Sequence, residues 1–152
     1  MRLLTFSHVV AAAIGVAAVG GCSHNQLPPG VEFLTPDGPP RYPFSPAVRV
    51  GNMIYLAGQI GTDSSGTLVA GGIQAEARQA LNNIGKVLEA SGSSLNRVVK
   101  CTVFMADMSE WPAMNEIYAT YFKQHFPARS AFGTTGLALN ARVEIDCIAV
   151  TD

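Results

Sequence analysis

Arg129 stands in the stretch FPARSAFGTT, between a segment with helical spacing and one that alternates like a strand. A guanidinium is a planar fork able to hold a carboxylate through two parallel, charge-assisted hydrogen bonds. The same side chain would serve equally as a surface or interface charge paired with an acid. Further on, RVEIDCIAV sets Glu144 and Asp146 on one side of a second alternating run. Other chemistries find little footing. Cys22, Cys101 and Cys147 match no zinc spacing, and His8, His24 and His125 supply no partner cluster, so no metal site is expected. The chain has 10 Lys/Arg against 11 Asp/Glu, with no basic cluster. Nucleic-acid affinity rests mainly on neutralising phosphates, so no nucleic-acid partner is expected.

The first residues look like an address. Arg2 is a thin positive region, Val9–Val19 form a short apolar run, and Gly20-Gly21 precede Cys22. Small residues directly before a cysteine, after a run too short to span a bilayer, resemble the lipobox of bacterial lipoproteins. The expectation is a signal over 1–21, cleaved before a lipidated Cys22. An ordinary cleaved signal, a retained membrane helix and a misassigned start are the alternatives. Ser23 after the cysteine favours the outer membrane, so the expected place is the periplasmic face of that membrane, with membrane contact through the lipid anchor only. Several acyl chains would hold firmly where one binds marginally. Residues 22–43 carry six prolines and read as an extended tether, with VEFLT as a possible short strand. The folded domain is assigned to residues 44–152.

Within that domain, AVRVGNMIYLAG reads as two strands joined at Gly51-Asn52, a pair suited to a tight primed turn. From Ile73 to Ala90 the period becomes helical. Ile73, Ala77, Ala80, Leu81, Ile84, Val87 and Leu88 share a stripe opposite Glu76, Gln79, Asn83, Lys86 and Glu89, and Gly92 stands where a helix would stop. A strand over 96–107 alternates Val99, Cys101, Val103 and Met105 inward. Ser109 then suits an N-cap for a helix reaching Phe126, with Trp111, Met114, Ile117, Tyr118, Tyr121 and Phe122 as its buried stripe. ARSAFGTTG is a strand, and the last strand alternates Val143, Ile145, Cys147 and Ala149 against Glu144, Asp146, Ile148 and Val150. One mixed sheet covered on one face by two helices, an α+β two-layer sandwich, accommodates this order. The other sheet face is half charged and half apolar, which suits a subunit interface or a cleft. Cys101 and Cys147 could pair if their strands are neighbours. The simpler reading is two buried thiols acting as small apolar residues.

The blocks SPAVRVGNMIYLAGQIGTDSSG, VVKCTVFMADMSEW, MNEIYATYF, FPARSAF and RVEIDCIAV resemble, in order and spacing, those of the RidA family. That family is also called YjgF or reactive intermediate deaminase, and in older usage endoribonuclease L-PSP. The likeness spans residues 31–150. It implies a chorismate-mutase-like α+β fold assembled as a homotrimer, with clefts between subunits lined by the uncovered sheet face. It also implies hydrolysis of 2-imino acids, released as enamines by pyridoxal-phosphate enzymes, to 2-oxo acids and ammonia, with neither a metal nor an organic cofactor. By the same resemblance Arg129 is the carboxylate clamp and Glu144 holds the attacking water. Gly58 presents backbone to the ligand, and Asn115 lies near the cleft.

This chain departs from the family pattern in three places on the ligand side. Phe44 stands where a tyrosine is common, Ala57 replaces a serine or threonine, and Ala131 occupies a ligand-facing position after ARS. Pro46 replaces a glutamine. The expected function is therefore a RidA-type deaminase. A non-catalytic trimeric module binding small carboxylates is the alternative, and a ribonuclease or translation inhibitor ranks behind both because the chain offers no basic groove.

Overall fold

The computed structural model describes residues 27–36 and 38–151. The expected signal and Cys22 lie outside the described residues. Strands β2 (Ala47–Val50) and β3 (Met53–Leu56) pair antiparallel in the expected register. They turn through Gly51 at φ 60°, a left-handed conformation that costs glycine little. β1 (Val31–Leu34) pairs antiparallel with β2. The sheet therefore starts inside the segment assigned to the tether, upstream of the expected boundary at residue 44. VEFL is the possible short strand read within that segment, and it has the alternation and length for one.

Helix α1 (Gly72–Ala90) follows the short β4 (Gln59–Ile60) and buries the predicted stripe, with Val87 half-buried at its margin. β5 (Val98–Met105), α2 (Trp111–Tyr121), β6 (Ala128–Gly133) and β7 (Val143–Val150) complete the chain. The sheet order is β1-β2-β3-β7-β5-β6, with β4 also on β7. Only β5 and β6 run parallel among these pairs, which is why a helical crossover, α2, joins them. Both helices share one core with Ile54, Val103, Val143 and Ile145 on the sheet face they cover.

Several expectations need correction. Val98 rather than Val99 faces the core, because an irregularity between Val98 and Lys100 shifts the alternation. Asp107, not Ser109, caps the turn ahead of α2: its carboxylate accepts from the Ser109 N–H at 2.8 Å. α2 ends at Tyr121, before Phe126, and Trp111 at its start is 39% exposed rather than buried. Glu76, expected on the solvent side of α1, is buried. Its carboxylate accepts from the Arg142 N–H at 2.8 Å, and the Arg142 guanidinium bonds Glu110 at 2.6 Å. This network ties α1 and the start of α2 to the residue just before β7. A buried acid with such partners is not unsatisfied, and the helical period could not reveal them.

Cys101 and Cys147 are register partners on β5 and β7 and form a disulfide. The simpler reading, two buried thiols, is thus corrected. The missing fact was adjacency of two strands separated by 46 residues in sequence. Such a cross-link restricts the unfolded chain and so favours the folded state.

Candidate functional site

The sheet has two faces, and the candidate residues divide between them. Register partners share a face. Arg129 pairs with Cys101 and Ala131 with Val103, so both point to the side that the helices cover. Glu144 pairs with Phe104, and Phe104 with Phe132, so these three lie on the open side. Arg129 and Glu144 therefore stand on opposite faces of one sheet within a single chain.

On the helix side, β6 is the edge strand and α2 runs beside it, leaving a cleft of about 330 Å³. Asn115, Tyr118, Ala119, Phe126, Pro127 and Arg129 line it. The Arg129 guanidinium carbon lies 4.6 Å from the Tyr118 ring centroid and 5.8 Å from that of Trp111. Stacking on aromatic faces holds the plane of the fork and leaves its N–H edge available. No carboxylate pairs with it among the described residues. The Asn115 Oδ1 and the Tyr118 hydroxyl are both buried without a hydrogen-bond partner. Burial pushes the Tyr118 phenol up to about 12, with Arg129 opposing the shift, so it stays protonated as a donor. A ring-stacked guanidinium and an orphan phenol around one cleft can donate to an anion, and the orphan amide oxygen can accept from an N–H beside it.

On the open side, Glu144 lies between Ile60 of β4 and Phe104 of β5. Its carboxyl group rests against Gly58: a β-carbon added there would lie 2.8 Å from the carboxyl carbon. A larger residue there would push the Glu144 carboxyl aside. Burial, and then the neighbouring Asp146, raise the Glu144 pKa above the ordinary carboxylate value. No described residue donates a hydrogen bond to its carboxylate, so the group is left to bind water or ligand. Ala57 precedes Gly58, and its N–H donates to the Pro46 carbonyl at 3.0 Å. Phe44 is exposed and stacks on Tyr42, with ring centroids 5.6 Å apart. The structure thus brings Asn115 and Arg129 to one cleft, with Ala131 on the same sheet side, and sets Gly58 against Glu144 elsewhere.

Tyr118 is the residue that sequence reasoning placed only in the core. One signal was available: a hydroxyl three residues after Asn115 on the same helix face. No group of His, Cys, Asp and Glu able to hold a metal occurs among the described residues.

A mixed sheet with two helices on one side, a cleft holding a guanidinium at its edge strand and an acid facing the other way define a two-layer α+β protein. The chain belongs to the RidA/YjgF family: residues 35–151 match the family model described as Endoribonuclease L-PSP. It is 51% identical to the 2-iminobutanoate/2-iminopropanoate deaminase of Mus musculus over 109 residues, 71% of this chain and 81% of that protein. The crystal structure of YEO7 from yeast superposes with a TM-score of 0.74 at 40% identity, covering 79% of this chain and 97% of that one. That of TdcF from E. coli with bound serine gives 0.71 at 30%, covering 79% and 98%. These neighbours share the α+β fold.

Proposed function

We propose that the protein is a RidA-type deaminase that hydrolyses 2-imino acids to 2-oxo acids and ammonia in sites shared between subunits of a homotrimer. Arg129 carries the reading, as a ring-stacked guanidinium with no ion pair among the described residues, in a cleft sized for a small carboxylate. Relatives at about this identity bear the deaminase name, which supports the same chemistry here. In the reaction the fork holds the substrate carboxylate, which leaves the C=N carbon facing the acid. Glu144 orients water and takes one of its protons as the oxygen bonds to that carbon. The carbinolamine then receives a proton on nitrogen from the Glu144 carboxyl. As the C–N bond breaks, the hydroxyl proton passes to the Glu144 carboxylate and leaves with the departing ammonia, so a protonated imine and one water become ammonium and the 2-oxo acid.

Because Arg129 and Glu144 face opposite ways in one chain, a site using both needs Glu144 from a second copy. The open sheet face supports such an assembly: Phe33, Val50, Tyr55 and Phe132 are each 44–53% exposed on it. Apolar side chains at that density on a sheet favour burial against a partner. The test is complementation. Arg129→Ala and Glu144→Gln are each expected to be inactive toward 2-iminopropionate generated in situ by an amino-acid oxidase. Co-expressed, they should form mixed trimers in which about a quarter of sites, by random assortment, hold both intact groups. Activity near a quarter of wild type supports the shared site, whereas a mixture as inactive as its parents overturns it.

The second reading, a trimer that binds small carboxylates without turnover, draws on the missing hydroxyls at Phe44 and Ala57. The same assay decides between them: carboxylate binding lost in Arg129→Ala, with no turnover by wild type, favours the binder. A ribonuclease reading would need RNA cleavage that survives Arg129→Ala.

We also propose that the chain is exported and anchored through lipidated Cys22, on the periplasmic face of the outer membrane. The Cys101–Cys147 disulfide supports an oxidising compartment. Labelled palmitate should be incorporated by wild type and not by Cys22→Ala, which should also leave the membrane fraction. Membrane association retained by that variant counts against the anchor.

A further inference from the structure

We infer that Tyr118 is a ligand-contacting residue, its hydroxyl donating a third hydrogen bond to the anion that Arg129 grips, while Asn115 accepts from the ligand nitrogen. The inference rests on the deaminase reading of this cleft and adds a residue and a division of labour to it.

The residue Tyr118 is 3% exposed, yet its hydroxyl has no partner. A buried phenol left unsatisfied is unfavourable, and native structures seldom keep one without a use. The ring is well occupied. One face carries the Arg129 guanidinium 4.6 Å away, and the Phe122 ring packs at 4.6 Å. These contacts explain an aromatic side chain, and phenylalanine would make all of them. The hydroxyl is what they leave unexplained.

Its position supplies the explanation. Asn115 and Tyr118 are three apart on α2, so they present to the same side, and both line the cleft with Arg129. Asn115 brings an unpartnered acceptor and Tyr118 an unpartnered donor. A 2-imino acid has the complementary pattern on adjacent carbons: carboxylate oxygens that accept, and a nitrogen that carries hydrogen. With the fork and the phenol both aimed at the anion, the nitrogen is left for the amide oxygen. This fixes which way round the ligand sits, and therefore which face of the C=N bond is offered to water.

The phenol does not titrate near neutrality, so its contribution is constant with pH.

The test uses Tyr118→Phe and Tyr118→Leu in the full trimeric protein, with 2-oxobutanoate as the binding probe in calorimetry and 2-iminobutanoate as substrate. Tyr118→Phe keeps the stack and is expected to melt no lower than wild type. It should bind 2-oxobutanoate and turn over imine roughly 10- to 100-fold less well, by the same factor from about pH 6 to 9. Tyr118→Leu also removes the ring beneath the guanidinium and should lose more. If Tyr118→Phe binds and reacts as wild type does while Arg129→Ala loses both, the hydroxyl has no ligand role and the deaminase reading stands. If wild type neither binds the probe nor consumes the imine, the cleft reading itself fails, and this inference with it. A loss confined to melting temperature assigns Tyr118 to the core and also overturns the inference.

Discussion

Arg129→Lys is expected to lower kcat/KM by roughly 10²–10³-fold while leaving the melting temperature close to wild type. The substitution keeps the charge and removes the geometry. In the native cleft the guanidinium is stacked near two rings, 4.6 Å from Tyr118 and 5.8 Å from Trp111. That arrangement sets the plane in which two parallel N–H groups meet a carboxylate. Each charge-assisted bond contributes on the order of 1.5–3 kcal/mol when the partner would otherwise be left unpaired. Losing one such bond, together with the fixed orientation of the ligand, accounts for the loss. An ammonium presents three rotatable donors on a flexible stem and restores attraction without register. Steady-state kinetics with 2-iminopropionate reads the effect, and a lysine variant within about threefold of wild type would show that charge alone suffices. Circular dichroism should confirm that folding is unchanged, because Arg129 makes no ion pair with a described residue.

Glu144→Gln should reduce kcat by roughly 10²–10⁴-fold, the range that positioned proton transfer supplies, with a smaller change in ligand affinity. The amide keeps the volume that fits against Gly58, so the fold tolerates it. What disappears is a group able to take a proton from water and return it to nitrogen. The pH dependence follows from the raised pKa. Burial first and Asp146 second disfavour the carboxylate, so the native acid holds its proton at higher pH than a free glutamate. Activity that needs the carboxylate should fall as pH drops through that raised value, placing the acid limb above the ordinary glutamate range. Asp146→Asn removes a like charge and should move the limb to lower pH. A limb unmoved by that substitution, or absent from wild type, would remove Glu144 as the base. Stability runs the opposite way: a carboxyl that binds its proton more tightly when folded favours the native state at low pH and loses that contribution as pH rises from the ordinary glutamate range through the raised value. Glu144→Gln should therefore be no less stable than wild type near neutrality.

Much of the layout was legible without coordinates. Two-residue alternation marked AVRV and MIYL as strands and set the inward and outward sides of VEIDCIAV, because a pleated strand has a period of two whatever its neighbours are. The apolar stripe of α1 was readable for the matching reason, a period of 3.6. Both rules reached their limit where a partner distant in sequence intervened. Glu76 sits on the polar side of a helical wheel, yet Arg142 draws it into the interior. Val99 fits a perfect alternation, yet the β5 register slips between Val98 and Lys100. Cys101 and Cys147 could not be paired on paper, since nothing local states that β7 lies between β3 and β5.

The candidate site divides along the same line. Which residue types are present, an arginine fork after a proline, an acid two residues before a second acid, a glycine before a glutamine, is a property of the chain alone, and so is the family they point to. Which of them can meet is decided by the sheet. Arg129 takes the face of Cys101 and Glu144 the face of Phe104, a consequence of hydrogen-bond register between strands remote in sequence. Side-chain direction alternates along each strand, so register alone determines the sharing of a face, and no local pattern encodes register across a crossover.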